Sequence, residues 1–280
     1  MVFSKTIQMY IFDGNPNGRI MCELSNWNGR IYKISRNDIA EFTNRPDSEY
    51  TGVYFLFGKD FTNSDTIYIG EAEKILSRLK QHLKDDEYWN DCVVVISKDN
   101  LLNKAHVKYL ENKFFQLAQS SGRFSILNNT IPTCSSISEY DEAMLNEFIF
   151  NAKLLVNTLG YKAFDTLDES QKNQPSFHLI AARGANAHGT IIADGFAVFK
   201  NSIVANSVTP SVAPYIKQLR EKLFEDGIID RSTHVFTRDY IFTSPSLAAS
   251  IVMGANTNGR TAWKTSDHKT LKSIEEELVK

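Results

Sequence analysis

Gly52-Val53-Tyr54-Phe55-Leu56-Phe57 and Thr66-Ile67-Tyr68-Ile69-Gly70 decide the reading of this chain. Each is a β-branched or aromatic run of strand length, and the loop between them, Lys59 to Asp65, is polar. Two such runs around a polar loop predict a β-hairpin over Thr51–Phe57 and Thr66–Ile69. Strand side chains alternate, so Tyr54 points opposite to Val53 and Phe55, and Tyr68 opposite to Ile67 and Ile69. The two phenols are therefore expected together on one polar side of the sheet, with their neighbours in the core.

Outward from the hairpin, Glu71 to Lys84 reads as a helix, with Ile75, Leu76, Leu79 and Leu83 on one face. Cys92-Val93-Val94-Val95-Ile96, within Asp91–Ser97, reads as a strand buried on both faces. A longer helix spans Leu101 to Ser120 and stops at Gly122. Ser136 with Glu139 three positions on predicts a capping box, and the helix it opens runs to Leu159 before Gly160. Ahead of the hairpin, Thr6–Phe12 and Arg30–Ile34 predict strands in a β-rich extension, with turns at Asp13-Gly14 and Asn15-Pro16-Asn17-Gly18, and Asn37–Thr43 a short helix.

The polar stretch Leu167 to Gln174, closed by Pro175, predicts a boundary to a second domain. There Phe177–Ala181 and Thr190–Ala193 read as strands, with Asp194-Gly195 turning into Phe196–Phe199. Ser211–Phe224 and Pro245–Met253 read as helices, the second with Gly254 just past its end. The expected organisation is an extension over 1–48, a central domain over 49–135, a connecting helix over 136–160 and a C-terminal domain over 161–280. The fold class is α/β (α+β).

At 280 residues the chain is long enough for two cores. A net charge of −2 and a pI of about 6.3 restrict any nucleic-acid surface to a local patch and weigh against indiscriminate DNA binding. Cys22, Cys92 and Cys134 are far apart without CxxC spacing and read as reduced thiols. The first twelve residues carry no signal-peptide pattern and no apolar run reaches the ~20 residues of a membrane span, so a cytoplasmic protein is expected.

Lys74, Arg78 and His82, four apart, line one side of the first helix along the rim of its apolar stripe. By themselves they describe a solvated basic edge. Glu111 is the stronger anomaly, because it falls inside the face defined by Val107, Leu110, Phe114 and Ala118. A carboxylate there is costly unless paired or bound to a cation. One such Glu suits a hard, water-rich ion such as Mg²⁺.

Taken in order, Tyr54, Tyr68, Arg78, His82, Glu111 and Asn128 resemble the GIY-YIG endonuclease family over about 49–133. Val53 stands where the first motif has isoleucine. The resemblance implies a three-stranded antiparallel sheet flanked by helices, and metal-dependent hydrolysis of DNA phosphodiesters with one Mg²⁺ or Mn²⁺ ion. In it Tyr54 serves as general base or as part of the relay that deprotonates water, and Tyr68 positions that water or a phosphate oxygen. Arg78 contacts the scissile phosphate, His82 relays a proton or binds phosphate, Glu111 holds the metal, and Asn128 orients the site.

Three C-terminal stretches, Asp194–Val198, Tyr240–Ala249 and Asn258–Lys264, resemble a domain of unknown function that accompanies many bacterial GIY-YIG nucleases, over about 177–265. The last two are also similar, more weakly, to a domain found beside restriction enzymes and adenine methylases. Trp263 reads equally well as core. The resemblance implies DNA as partner, a C-terminal domain that selects substrate, and a role in restriction, defence against foreign DNA or repair. A nucleic-acid-binding or regulatory protein that keeps the fold without cleaving is the alternative.

Overall fold

A computed structural model describes residues 4–60, 64–85, 88–165, 176–193 and 195–278. The chain forms two compact units, Met1–Thr166 and Leu167–Lys280. The expected linker, Leu167 to Pro175, and Asp194 of the expected turn lie outside the described residues.

The first unit is built on one sheet. Its strands are β1 (Ile7–Ile11), β2 (Ile20–Leu24), β3 (Gly29–Ser35), β4 (Gly52–Lys59), β5 (Asp65–Ala72), β6 (Trp89–Ser97) and β7 (Ser125–Ile126), in spatial order β1-β2-β3-β6-β4-β5-β7. Neighbours are antiparallel except β5 and β7, which run parallel. The antiparallel trio β6-β4-β5 sits inside this sheet, and the N-terminal strands continue it through β3. Strand β2 was not anticipated; its alternation of buried and half-buried residues spans only five positions between turns.

Among the described residues, helices α1 (Ile39–Phe42), α2 (Ile75–Asp85), α3 (Lys104–Ser121) and α4 (Glu139–Thr158) cover the sheet. One face of the sheet, with Val53, Phe55, Ile67, Ile69, Val93 and Val95, packs on α3 and α4 in a core that also takes in Ala163 and Phe164. The other, with Tyr54, Leu56, Cys92, Val94 and Ile96, packs on Ile39 and Phe42 of α1 and Ile75, Leu76 and Leu79 of α2. This corrects the expectation of a polar side for the tyrosines. A β6 run that is apolar at every position requires both faces covered, and the strand paired to it inherits that burial.

Several boundaries also differ, two of them at helix starts. Glu71 and Ala72 belong to β5, and α2 starts only at Ile75. The first turn of α4 is capped by Ser138, whose Oγ accepts from the Asp141 amide, in place of Ser136 and Glu139. Helix α3 ends as expected at Gly122, which takes a left-handed φ of 62°. Cys22 and Cys92 are buried free thiols and Cys134 an exposed one. No described helix is long and apolar enough to cross a membrane.

The second unit carries β8 (Phe177–Ile180), β9 (Asn186–Ile192), β10 (Gly195–Val198) and β11 (Tyr240–Phe242) in the antiparallel order β11-β10-β9-β8. Its helices are α5 (Pro214–Glu225), α6 (Pro245–Met253), α7 (Gly259–Ala262) and α8 (Leu271–Leu278). Trp263 is fully buried, lies 4.4 Å from the Phe196 ring centroid, and donates its indole N–H to the Pro245 carbonyl. It is therefore a core residue, while Arg260 pairs at the surface with Glu275. The fold class is α+β, with a multi-strand sheet flanked by helices and a separate C-terminal sheet domain.

Candidate functional site

Tyr54 is the centre of the arrangement. It lies in the middle of β4 with no solvent exposure, held by β5 on one side and β6 on the other. Its cross-strand partner is Gly70. A Cβ at position 70 would overlap the Tyr54 ring and hydroxyl, so only glycine lets the phenol lie across β5 toward the helix beyond. Tyr68 stacks beside it, ring centroids 6.3 Å apart.

Helix α2 supplies the polar partners. Arg78 Nε donates to the Tyr54 hydroxyl at 3.2 Å, and Arg78 Nη1 donates to Gln81 Oε1 at 2.8 Å. The Tyr54 hydroxyl lies 2.8 Å from His82 Nε2. Arg78 and His82 are one helical turn apart, which is why one phenol oxygen meets both. His82 is buried at 6% exposure, with its ring 5.2 Å from that of Tyr68. Lys74, the third member of the expected basic row, precedes the helix and is exposed. Burial drives the Tyr54 phenol pKa far above its ordinary value; Tyr68 adds to this and the Arg78 guanidinium opposes it. At neutral pH Tyr54 is a protonated phenol.

Helix α3 brings Glu111. Its neighbours Val107, Leu110 and Phe114 are fully buried and Phe115 nearly so, while Glu111 itself is half-buried at the helix margin. Its carboxyl pKa is raised from 4.5 to about 7, first by burial and second by the charge of Glu71, against the pull of Lys104, Lys108 and Arg78. Glu71 pairs with Lys104 at 2.8 Å. An open cleft of about 340 Å³ joins these groups, lined by Tyr54, Tyr68, Glu71, Arg78, Lys104 and Glu111.

Four of the six expected site residues thus line one cleft, and His82 stands behind Tyr54 in contact with it. Asn128 is elsewhere. Its side-chain amide donates to the Ile69 carbonyl at 2.7 Å and accepts from the Ile69 amide at 3.0 Å. It continues the short β7 pairing with a side chain in place of backbone, and so braces β5 between Tyr68 and Gly70 from the far edge. Glu71 and Lys104 were missed. Glu71 escaped notice because that segment read as helix. Lys104 had a usable signal, seven residues before Glu111 and hence two turns below it on one face of α3.

The donor set suits a hard cation. Two carboxylates face one open cleft, and their mutual repulsion is relieved when an ion sits between or beside them. Among the described residues no group of three or more His, Cys, Asp or Glu forms a metal cluster. An ion here would rest on one or two carboxylates and water, the coordination habit of Mg²⁺.

Comparison with known protein families matches residues 177–275 to a domain of unknown function (DUF4357). No curated protein and no solved structure matches the chain.

Proposed function

We propose that the cleft of the first unit is the active site of a metal-dependent DNA endonuclease of the GIY-YIG type. What carries the reading is the meeting of Tyr54, Arg78 and His82 through one phenol oxygen, beside Tyr68 and a half-buried Glu111 in one cleft. Arg78 has only donors, so the Tyr54 oxygen accepts from it and the phenol hydrogen can be given to His82 Nε2. Tyr54 then works as a relay. As water attacks phosphorus, its proton passes to the Tyr54 oxygen while the phenol proton passes to His82, and no free phenolate need form. This favours the relay role over that of a resident base, because burial keeps the phenol protonated.

Tyr68 orients the water or a phosphate oxygen from the rim. Arg78 holds a non-bridging oxygen and stabilises the charge that grows on it. Mg²⁺ or Mn²⁺ bound at Glu111 would supply stabilisation of the leaving oxygen. Asn128 fixes the strand that presents Tyr68. The C-terminal domain selects the DNA, in restriction, defence against foreign DNA or repair.

The test is cleavage of unmodified, methylated and hypermodified DNA with Mg²⁺ or Mn²⁺, comparing the parent protein with Glu111→Ala. The parent is expected to cut at least one substrate and the variant none. A parent that cuts nothing, or a variant that cuts equally well, refutes the proposal and leaves a binding protein on a nuclease-like fold.

A further inference from the structure

The second unit holds a feature with no place in the chemistry above. His188 on β9 and His178 on β8 are direct cross-strand partners, with Nδ1 atoms 2.6 Å apart. On the other side of β8, His178 exchanges both backbone hydrogen bonds with Lys264, at 2.7 and 3.0 Å. Directly opposite residues project from the same face of a sheet. His188, His178 and Lys264 therefore form a row of basic groups across three adjacent chain segments. They stand on the face opposite Phe177 and Leu179, which enter the core. Like charges directly opposite are unfavourable. Burial first, and His178 second, push the His188 pKa down, and the 2.6 Å contact needs one Nδ1 to accept the other's N–H. Among the described residues none of the three has a carboxylate partner.

Beside the row opens a pocket of about 500 Å³. His178, Lys264 and His268 line it with Thr265, and among its described lining residues there is no carboxylate. Met253 and Ile180 add apolar surface to its lining, Ile180 from the same face of β8 as His178. Ile180 is 80% exposed, a large apolar side chain left in water. A phosphate alone would leave the apolar surface wet, and an apolar ligand alone would leave the Lys264 ammonium and the imidazole N–H groups without an acceptor. Pockets of this size take ligands of drug or nucleotide scale, and a few polar groups fix their orientation.

The geometry points to a nucleotide site in the C-terminal unit, in which Lys264, His178 and His268 hold a phosphate and the base lies against Ile180 and Met253. The nucleotide is either free or part of a strand, and the two sources share this chemistry. The site stands independently of the nuclease reading.

The experiment is a titration of the full chain in EDTA, read by heteronuclear NMR shifts, with each deoxynucleoside monophosphate, inorganic phosphate, a deoxynucleoside and a single-stranded oligonucleotide. At least one monophosphate or the oligonucleotide is expected to bind about tenfold more tightly than inorganic phosphate and the nucleoside. The double variant Lys264→Gln, His268→Gln alters two exposed side chains, so the fold is kept, and binding is expected to weaken at least about tenfold. Ile180→Asp is expected to weaken it comparably. Shifts confined to the first unit, binding of inorganic phosphate as tight as that of nucleotides, or a double variant that binds like the parent would each overturn the proposal. Preference for the free monophosphate or for the oligonucleotide supports it and tells which source is used.

Discussion

Replacing Glu111 by Gln is expected to stabilise the protein while removing the proposed nuclease activity. The Glu111 carboxyl pKa lies near 7 in the folded chain against 4.5 in an open one, first because it is buried and second because Glu71 faces it. The folded state therefore holds the Glu111 proton more tightly than the unfolded state does. Between about pH 4.5 and 7 it binds more protons, so this group lowers stability as pH rises through that window and leaves it flat above. The whole interval corresponds to about 3 kcal/mol at most, at about 1.4 kcal/mol per tenfold. The cleft is open to water, which screens the charge, so about half, 1–2 kcal/mol, is expected. Glutamine keeps the shape and cannot ionise. In EDTA at pH 8, Glu111→Gln should melt about 2–8 °C above the parent, at roughly 2–4 °C per kcal/mol for a unit of this size. At about pH 4, below the window, where the carboxyl is largely protonated in both states, the two should melt nearly together. Millimolar Mg²⁺ should then raise the parent's melting temperature at pH 8 and leave the variant unmoved, because only a ligand that binds the folded site shifts the equilibrium. Equal melting at pH 8, or an equal response to Mg²⁺, refutes the reasoning.

Two further substitutions probe the packing that holds each unit's chemistry in place. Gly70→Ala inserts a methyl where the Tyr54 ring lies, and Tyr68 and His82 close the ring's other sides; it should cost about 1–3 kcal/mol in urea denaturation and sharply reduce cleavage, and a variant neutral in both measurements would show that Tyr54 does not need that space. Arg220 is buried at 3% exposure with its guanidinium on the Ala205 and Ile251 carbonyls, and burial pulls its pKa down to about 10. Arg220→Met leaves both carbonyls unmet and should cost the C-terminal unit about 2–5 kcal/mol; a loss below about 1 kcal/mol on denaturation would remove that structural role.

Wherever one period dominates, the sequence and the structure agree. The apolar spacing of α3, its stop at Gly122, and the apolar run of β6 all needed only local information. What local reading missed is what depends on pairing. Glu71 continues a helix-like pattern in one dimension, yet it pairs with Val53 across the sheet and so belongs to the end of β5. Tyr54 and Tyr68 looked like residues of a polar face because their own strands alternate. The chain that decides their surroundings is β6, some forty residues further on, whose Cys92, Val94 and Ile96 put a second core on that face.

That burial changes what the site residues can be. A phenol on a wet sheet face could ionise only by help from cations, and a base would be its natural role. A phenol inside a core, with Arg78 on one lone pair and His82 at hydrogen-bond distance, is held neutral and directional. The same closure explains why the two helices contribute unlike groups. Helix α2, packed on the tyrosine face, offers hydrogen-bond partners to a buried hydroxyl. Helix α3, packed on the opposite face, reaches the cleft only at its margin, where a carboxylate can still meet water. Glu111 is thus the group of the six whose charge state the fold leaves open to solvent and ions, and the proposed chemistry turns on what neutralises it.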